Sequence, residues 1–245
     1  MLRKLFKDTL RLLVGLQAYE EVHAWIWARR IRVRRHSAVT RIIHKFVRIG
    51  DTCIDVGAHG GTVCSDLSQA VGERGTVVAF EPRADYARTL ERTLRLLGVE
   101  NVKVFPMALG DSNGESRLVI ADSDGDITGK SHLATGLEDG ANTQPVEIRS
   151  LDSLSDSFPF FLKATFVKID VEGAELQILK GGASFFAFAK PIIYCEIEDE
   201  WCGRYGHAAE TVRDYIVAMG YSIRQIEGGD FLCIPLEKKE ILENF

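Results

Sequence analysis

A glycine-rich segment after a short apolar run is the first place where residue types and spacing could do chemistry. It reads Asp55-Val56-Gly57-Ala58-His59-Gly60-Gly61 and precedes a stretch with helical spacing of apolar residues. Glycines let the backbone turn sharply and let a ligand lie against main chain, and a helix N-terminus offers unpaired N–H groups. The D-x-G-x-x-G spacing lacks the register that seats a pyrophosphate. The segment predicts a nucleotide-type pocket without a diphosphate; the alternative is a turn kept only for packing.

A second acid lies at the end of the next apolar run, Val78-Ala79-Phe80-Glu81-Pro82. A carboxylate at this position can accept hydrogen bonds from both hydroxyls of a ribose, and Pro82 redirects the chain after it. Asp55 would repel a diphosphate but suits a cationic amino group. Together, Asp55 and Glu81 predict binding of S-adenosylmethionine, whereas the alternative for Glu81 alone is a solvated surface residue.

Carboxylates also follow two later apolar runs. Phe166–Asp170 leads into Glu172 and Glu175, and Ile192-Ile193-Tyr194-Cys195 leads into Glu196 and further acids. Acids clustered at neighbouring strand ends could raise one another's pKa and supply a general base, or Asp170 and Glu196 could share a divalent ion. A metal is not expected. Glu172 and Glu175 have a second interpretation, which is capping of the following helix.

The apolar pattern between residues 52 and 106 alternates between strand and helix periods, which predicts a βαβαβ unit with parallel strands. The predicted elements are strands Thr52–Val56, Thr76–Phe80 and Val102–Phe105, with helices Thr62–Val71 and Ala84–Leu97 between them. Later predicted elements are strands Glu115–Ile120, Gln144–Arg149 and Ile192–Ile197, helices Ala174–Phe188 and Ala208–Met219, and a terminal hairpin of Tyr221–Gln225 with Phe231–Pro235.

Residues 112–143 are the least patterned part of the chain, and Asp122–Asn142 is polar without a helical period. We predict a lid or acceptor-binding loop here, against the alternative of a segment without function.

The composition and charge of the chain limit its possible domain organisation, partners and location. The chain is 46% apolar and 27% charged, as expected for one α/β domain (51–245) with a helical extension (1–50). Residues 1–50 carry twelve Lys/Arg and three Asp/Glu, whereas the rest carries 18 and 32, so the acidic body argues against nucleic acid as the substrate. The basic extension is expected to pack on the domain; contact with an anionic membrane or an acidic partner, and a homodimer, stay open. Five cysteines without a C-x-x-C pair predict free thiols, and the absence of a signal peptide or membrane span predicts a cytoplasmic protein.

With these segments in order, the sequence resembles the FkbM-type methyltransferases over about residues 50–235. The likeness rests on Asp55-Val56-Gly57-Ala58, Phe80-Glu81-Pro82, Ala108-Leu109-Gly110-Asp111, Lys168–Glu175, Leu179-Lys180-Gly181 and Glu196. The resemblance implies a Rossmann-like class I methyltransferase fold, with a mostly parallel seven-stranded sheet of order 3-2-1-4-5-7-6 that ends in an antiparallel hairpin. It also implies methyl transfer from S-adenosylmethionine, commonly to a hydroxyl of a sugar, natural product or other small molecule.

The implied cofactor-binding residues are Asp55, Gly57, Ala58, His59, Gly60, Glu81, Pro82, Ala108 and Asp170, with Ala108 near the adenine. Asp170, Glu172, Glu175 and Glu196 are the candidate catalytic residues. The segment His59-Gly60-Gly61 departs from the family pattern, and the role of His59 stays open. His132 is an outside candidate for a base, and His207 a weaker one, since loop histidines are mostly solvent-facing. Two rival functions stay open: a NAD-dependent oxidoreductase and a non-catalytic nucleotide-binding module.

Overall fold

The computed structural model of the chain describes residues 2–33, 37–120, 131–136, 142–238 and 240. Two helices precede the sheet, α1 (Leu2–Val33) and α2 (Ala38–Phe46). The backbone of α1 is non-helical at Gly15, and α2 begins with a capping box between Ser37 and Thr40. Among the described residues, no helix combines the length and the apolar character needed to cross a bilayer. The extension is therefore helical, as predicted.

The βαβαβ unit has the predicted bounds. Its elements are β1 (Thr52–Val56), α3 (Thr62–Val71), β2 (Thr76–Phe80), α4 (Ala84–Leu97) and β3 (Val102–Phe105). The three strands are parallel, and β1 and β2 are buried over four of their five residues. Strands covered by helices on both faces read as near-continuous apolar runs, which explains why the sequence located them so well.

The segment between β3 and the second half of the sheet forms a separate four-stranded sheet. Its strands are β4 (Ala108–Leu109), β5 (Gly114–Val119), β6 (His132–Leu133) and β7 (Thr143–Arg149), in the order β4-β7-β5-β6. Within the predicted lid of residues 112–143, β5 agrees with the predicted strand Glu115–Ile120, whereas β6 was not predicted; Leu118 and His132 on these strands are buried. Residues 121–130 and 137–141 of the predicted lid lie outside the described residues.

The remaining elements complete the central sheet. They are α5 (Leu151–Ser157), a 3-10 turn (Pro159–Lys163), β8 (Ala164–Ile169), α6 (Glu175–Gly181), α7 (Ala183–Ala189), β9 (Ile192–Glu196), α8 (Asp199–Arg204), α9 (Ala209–Ala218), β10 (Tyr221–Glu227), β11 (Asp230–Pro235) and a 3-10 turn (Leu236–Lys238). The strand order is β10-β11-β9-β8-β1-β2-β3, with β11 antiparallel to both neighbours. This is the predicted order 3-2-1-4-5-7-6, and the fold class is confirmed.

One predicted helix is two helices. The pattern over Ala174–Phe188 predicted a single element, but α6 ends at Gly181 and α7 begins at Ala183. A Cβ on Gly181 would lie 1.9 Å from the carbonyl oxygen of Gly110, so this glycine lets α6 touch the start of the second sheet. The two helices are separated by Gly182, whose φ of −114° and ψ of 19° are not helical, and the apolar periodicity does not report this break.

Candidate active site

A cavity of about 380 Å³ lies at the carboxyl ends of β1, β2 and β8. Its walls come from residues within the segments 56–63, 80–86, 107–109, 131–133 and 168–174, together with Trp27, Leu118 and Glu196. The volume is within the range of small-molecule sites, and open α/β sheets bind ligands at this edge. We refer to it as the main cavity.

The glycine loop forms one side of the main cavity and is tied to both neighbouring strands. The amides of Gly57 and Ala58 both donate to the Phe80 carbonyl at 3.0 Å. Gly57 has a φ of 81°, and a Cβ there would lie 1.9 Å from the carbonyl oxygen of Asp170. A side chain would therefore collide with the chain after β8. The missing side chain at Gly57 therefore lets the loop pack closely against the chain after β8.

Asp55 does not line the main cavity. Its side chain is fully buried, and Cys64 of α3 donates to its Oδ2 atom at 2.9 Å. Lys168, its register partner on β8, places Nζ 3.5 Å from the Oδ1 atom. The carboxylate thus points under the loop toward α3 and Lys168. We predicted that it faces the donor's amino group, and its position does not fit that role.

Lys168 connects this buried acid to the cavity. Its ammonium group donates to the Gly57 carbonyl at 2.9 Å and lies 3.2 Å from the Asp170 carboxylate. Burial opposes its charge, but Asp170 and Asp55 together raise the pKa of Lys168. We did not predict a role for this residue. The signal was available, since a lysine inside an otherwise apolar strand needs a buried counter-ion.

Glu81 lies at the end of β2 and lines the main cavity. One carboxylate oxygen accepts the His59 amide at 2.8 Å and the other accepts the Arg83 amide at 2.9 Å. Burial raises the pKa of Glu81 to about 7, although these two amides and the Arg83 charge act against the rise. Each oxygen retains a lone pair, so the carboxylate can accept further hydrogen bonds from hydroxyl groups.

Asp170 and Glu196 form the acid pair of the site. They lie at the ends of the adjacent parallel strands β8 and β9, both line the main cavity, and their side chains are hydrogen-bonded to each other. Burial and the Asp170 charge raise the pKa of Glu196 to about 9. Burial would also raise the pKa of Asp170, but Lys168 and the hydrogen bond from Glu196 lower it below the usual value. The two shifts have opposite directions, so Glu196 is the member of the pair that is protonated more readily.

The other two predicted acids occupy different environments. Glu172 lines the main cavity and has a φ of 58°, which is uncommon for a residue with a side chain. Glu175 is 1% exposed and does not line the cavity; its Oε1 atom accepts the amides of Val171 and Gly173, both at 3.2 Å. Glu175 thus holds the turn after β8 in shape; it lies in the first turn of α6, and no side-chain hydrogen bond caps that helix.

Of the two histidines considered as bases, His132 lines the main cavity and is 5% exposed. We had expected it in a solvent-facing loop, and β6 buries it. His207 does not line the cavity; its Nδ1 atom lies 3.4 Å from the Tyr205 carbonyl oxygen. Sequence reasoning also missed Trp27, Arg83, Tyr86 and Met107, which line the cavity from α1, the start of α4 and the link to β4.

Most of the predicted cofactor-binding residues line the main cavity, namely Gly57, Ala58, His59, Gly60, Glu81, Pro82, Ala108 and Asp170. In the described part of the chain, no group of three or more His, Cys, Asp or Glu side chains is arranged to hold a metal ion. All five cysteines are free and buried, which confirms the prediction of free thiols.

This sheet order, with the glycine loop after β1 and the acid after β2, defines the class I methyltransferase fold. Methyltransferase FkbM from Methylobacillus flagellatus KT has this fold at 17% identity and a TM-score of 0.51, and the match covers 90% of this chain and 60% of that one. A protein from Corynebacterium glutamicum matches at 8% identity and a TM-score of 0.51, over 94% of this chain and 95% of that one.

The sequence narrows the class to a family. The model of the methyltransferase FkbM domain matches residues 55–223, well over half of the chain. The chain therefore belongs to the FkbM methyltransferase family, and the resemblance is confirmed. A relative from Beauveria bassiana, Methyltransferase 1, is 25% identical over 122 residues, which is 44% of this chain and 49% of the relative. The match thus spans about half the length of that relative.

Proposed function

We propose that this protein transfers the methyl group of S-adenosylmethionine to a hydroxyl oxygen of a small molecule. The observation that carries the proposal is that Asp170 and Glu196, at the ends of the adjacent strands β8 and β9, both line the main cavity that Glu81 also lines. The donor would supply a methyl group on a positively charged sulfur, which is reactive toward a well-placed oxygen.

The residues that would hold the donor are those of the glycine loop and Glu81. Gly57 lines the main cavity, and its close packing against the Asp170 carbonyl holds the loop in place. Glu81 is fixed by the His59 and Arg83 amides, so its remaining lone pairs are aimed before a ribose arrives. Such preorganisation lowers the entropic cost of binding. Asp55 acts through Lys168 and is a positioning residue.

The acceptor would approach from the other side of the acid pair. A second cavity shares Val63, Lys168, Asp170 and Glu196 with the main cavity and extends to Tyr194, Glu227 and Asp230 and to the start of α2, Ser37 to Arg41. Its walls carry carboxylate, hydroxyl and guanidinium groups, which suit a neutral molecule rich in hydroxyls and oppose an acceptor of high negative charge. This shared wall supports the acid pair as the meeting point of donor and acceptor.

In this arrangement Asp170 would accept the proton of the acceptor hydroxyl as the oxygen–carbon bond forms. Lys168 keeps Asp170 ionised, and the hydrogen bond from Glu196 fixes the direction of the Asp170 carboxylate. A base of low pKa contributes modestly, on the order of 100-fold, whereas alignment of the reacting atoms contributes far more. The chain's main task is therefore positioning.

The proposal is tested by separating donor binding from turnover. Titration calorimetry with S-adenosylhomocysteine should give the unmodified protein a micromolar affinity, with a loss of at least about tenfold in Glu81→Gln. Asp170→Asn should keep its affinity for S-adenosylhomocysteine but lose activity toward a panel of polyhydroxylated acceptors. Activity is measured as transfer of a radiolabelled methyl group to the acceptor. Glu200→Gln, an exposed acid on α8, serves as the control.

The rival functions predict other outcomes. Binding of NAD in place of S-adenosylhomocysteine would favour the oxidoreductase, and donor binding without turnover on any acceptor would favour the non-catalytic module. The cytoplasmic location expected from the sequence is part of the proposal; five free buried thiols support it, since disulfides are rare in that compartment.

A further inference from the structure

The first helix contributes a residue to the main cavity. Trp27 of α1 lines it, although it lies before residues 55–223, the segment that the family model covers. A Cβ on Gly60 would lie 2.3 Å from the Trp27 indole, so the ring is seated directly on the glycine loop. Helix α1, which lies before the segment that the family model matches, thus contacts the part of the site that would hold the donor.

An ion-pair cluster around the buried Glu20 fixes the helix in this position. Glu20 is 4% exposed, and its two carboxylate oxygens lie 2.9 Å from Arg88 and 2.9 Å from Arg92 of α4. Arg92 also donates to the Gln17 carbonyl at 3.0 Å, and Arg32 donates to the Leu96 carbonyl at 2.8 Å. These contacts extend over most of α4. They specify one placement of α1, because a shift would leave a buried carboxylate without its partners.

Trp27 is also the first of three rings that form a wall of the cavity. It contacts His59 edge-to-face at a centroid distance of 5.0 Å, and His59 contacts Tyr86 in the same manner at 4.8 Å. We call Trp27, His59 and Tyr86 the aromatic wall. His59 has a φ of 49° and donates its amide to Glu81, so the wall and the ribose-binding carboxylate meet at one residue.

We propose that α1 is a structural part of the donor site, and that Trp27 is a positioning residue that holds His59 and closes the aromatic wall around the adenosyl group of S-adenosylmethionine. The inference rests on the proposed function for the identity of the donor. Its physical basis is that rings excluded from water offer flat, apolar contact to a nucleoside and keep the hydrogen bonds of Glu81 away from solvent.

Trp25 supplies a matched control, since it is on the same helix but is 57% exposed and does not line the cavity. Calorimetry with S-adenosylhomocysteine should show at least about tenfold weaker binding for Trp27→Ala, recovery to within about threefold in Trp27→Phe, and no change in Trp25→Ala. Urea unfolding of each variant separates lost affinity from lost folding. Equal affinities of Trp27→Ala and Trp25→Ala would overturn the inference.

A second measurement applies if Trp27→Ala does not fold. The chain has three tryptophans, so the double variant Trp25→Phe/Trp201→Phe leaves Trp27 as the sole one. Its fluorescence should change on addition of S-adenosylhomocysteine, with a midpoint equal to the calorimetric dissociation constant. Binding by calorimetry with constant fluorescence would contradict the role of Trp27. No binding by the unmodified protein would overturn the proposed function itself, and the inference with it.

Discussion

Lys168 and Asp55 are register partners on adjacent parallel strands, and the ammonium group lies 3.5 Å from a carboxylate that is fully buried. The pair lies beneath the glycine loop, and Lys168 also donates to the Gly57 carbonyl at 2.9 Å. The loop that would receive the donor is therefore supported from below by a buried charge pair.

We expect Lys168→Met to lower the free energy of unfolding by about 3–5 kcal/mol, because it leaves the Asp55 carboxylate buried without a counter-ion. Asp55→Asn combined with Lys168→Met should cost less than the sum of the two single variants, since the stranded charge is then gone. Urea denaturation measures all three. Additive losses would show that the two groups do not interact.

Gly57→Ala should prevent donor binding and destabilise the fold. The new Cβ would lie 1.9 Å from the Asp170 carbonyl oxygen, at a residue whose φ of 81° already disfavours a side chain. The strain of that φ alone costs about 1–2 kcal/mol. Gly203→Ala on α8, where a Cβ meets no atom within 4 Å, is the control and should be neutral or slightly stabilising. Equal thermal stability of the two variants would refute the predicted clash.

Donor affinity should increase as the pH rises through about 7, where Glu81 ionises. Only the ionised carboxylate can accept hydrogen bonds from both ribose hydroxyls while it also accepts those of the His59 and Arg83 amides. Binding of S-adenosylhomocysteine should be weaker at pH 6 than at pH 8, and Glu81→Gln should remove this difference. Glu175 has a pKa near the same value but lies outside the cavity. Glu175→Gln should therefore show the same difference in affinity between pH 6 and pH 8 as the unmodified protein.

Glu196 should destabilise the protein progressively as the pH rises. Its pKa is raised from 4.5 to about 9, so its stabilising contribution is complete below pH 4.5 and is lost as the pH rises through 9. Glu196→Gln mimics the protonated form and should match the unmodified protein at pH 4.5 but exceed its stability above pH 9. Thermal melts across this range test the sign; a variant that is less stable at pH 10 would contradict it.

The same substitution predicts a change in the activity profile. In the unmodified protein, turnover should fall above pH 9 because two ionised carboxylates repel each other and Asp170 loses its fixed direction. Glu196→Gln still donates a hydrogen bond to Asp170 and should keep its activity there. The ratio of rates at pH 8 and pH 10, compared with that of Glu200→Gln, measures the effect.

The spacing of apolar residues was sufficient to predict those helices and strands in which the spacing continues without interruption. The bounds of β1, α3, β2, α4 and β3 were predicted from apolar spacing and from Gly98, because apolar residues dominate these segments. The order of the site acids along the strand ends was likewise predictable, since parallel strands bring their carboxyl ends to one edge.

The remaining features depend on contacts between residues distant in sequence. The direction of the Asp55 side chain is set by Cys64 and Lys168, and the position of Trp27 by the pairing of Glu20 with α4. The short strands β4 and β6 have two residues each, too few to show a period. Such features are determined by packing, which a single sequence reports only indirectly.

The contact between Gly181 and the Gly110 carbonyl has a consequence for protein engineering. It joins the end of α6 to the residue that directly follows β4 of the second sheet, at a separation that leaves no room for even a methyl group. Residues 108–149 therefore do not form a cassette that can be exchanged freely between relatives. A transplanted second sheet would dock only onto a recipient that keeps a glycine at the end of this helix, so chimeras should be designed with both sides of the joint from one parent.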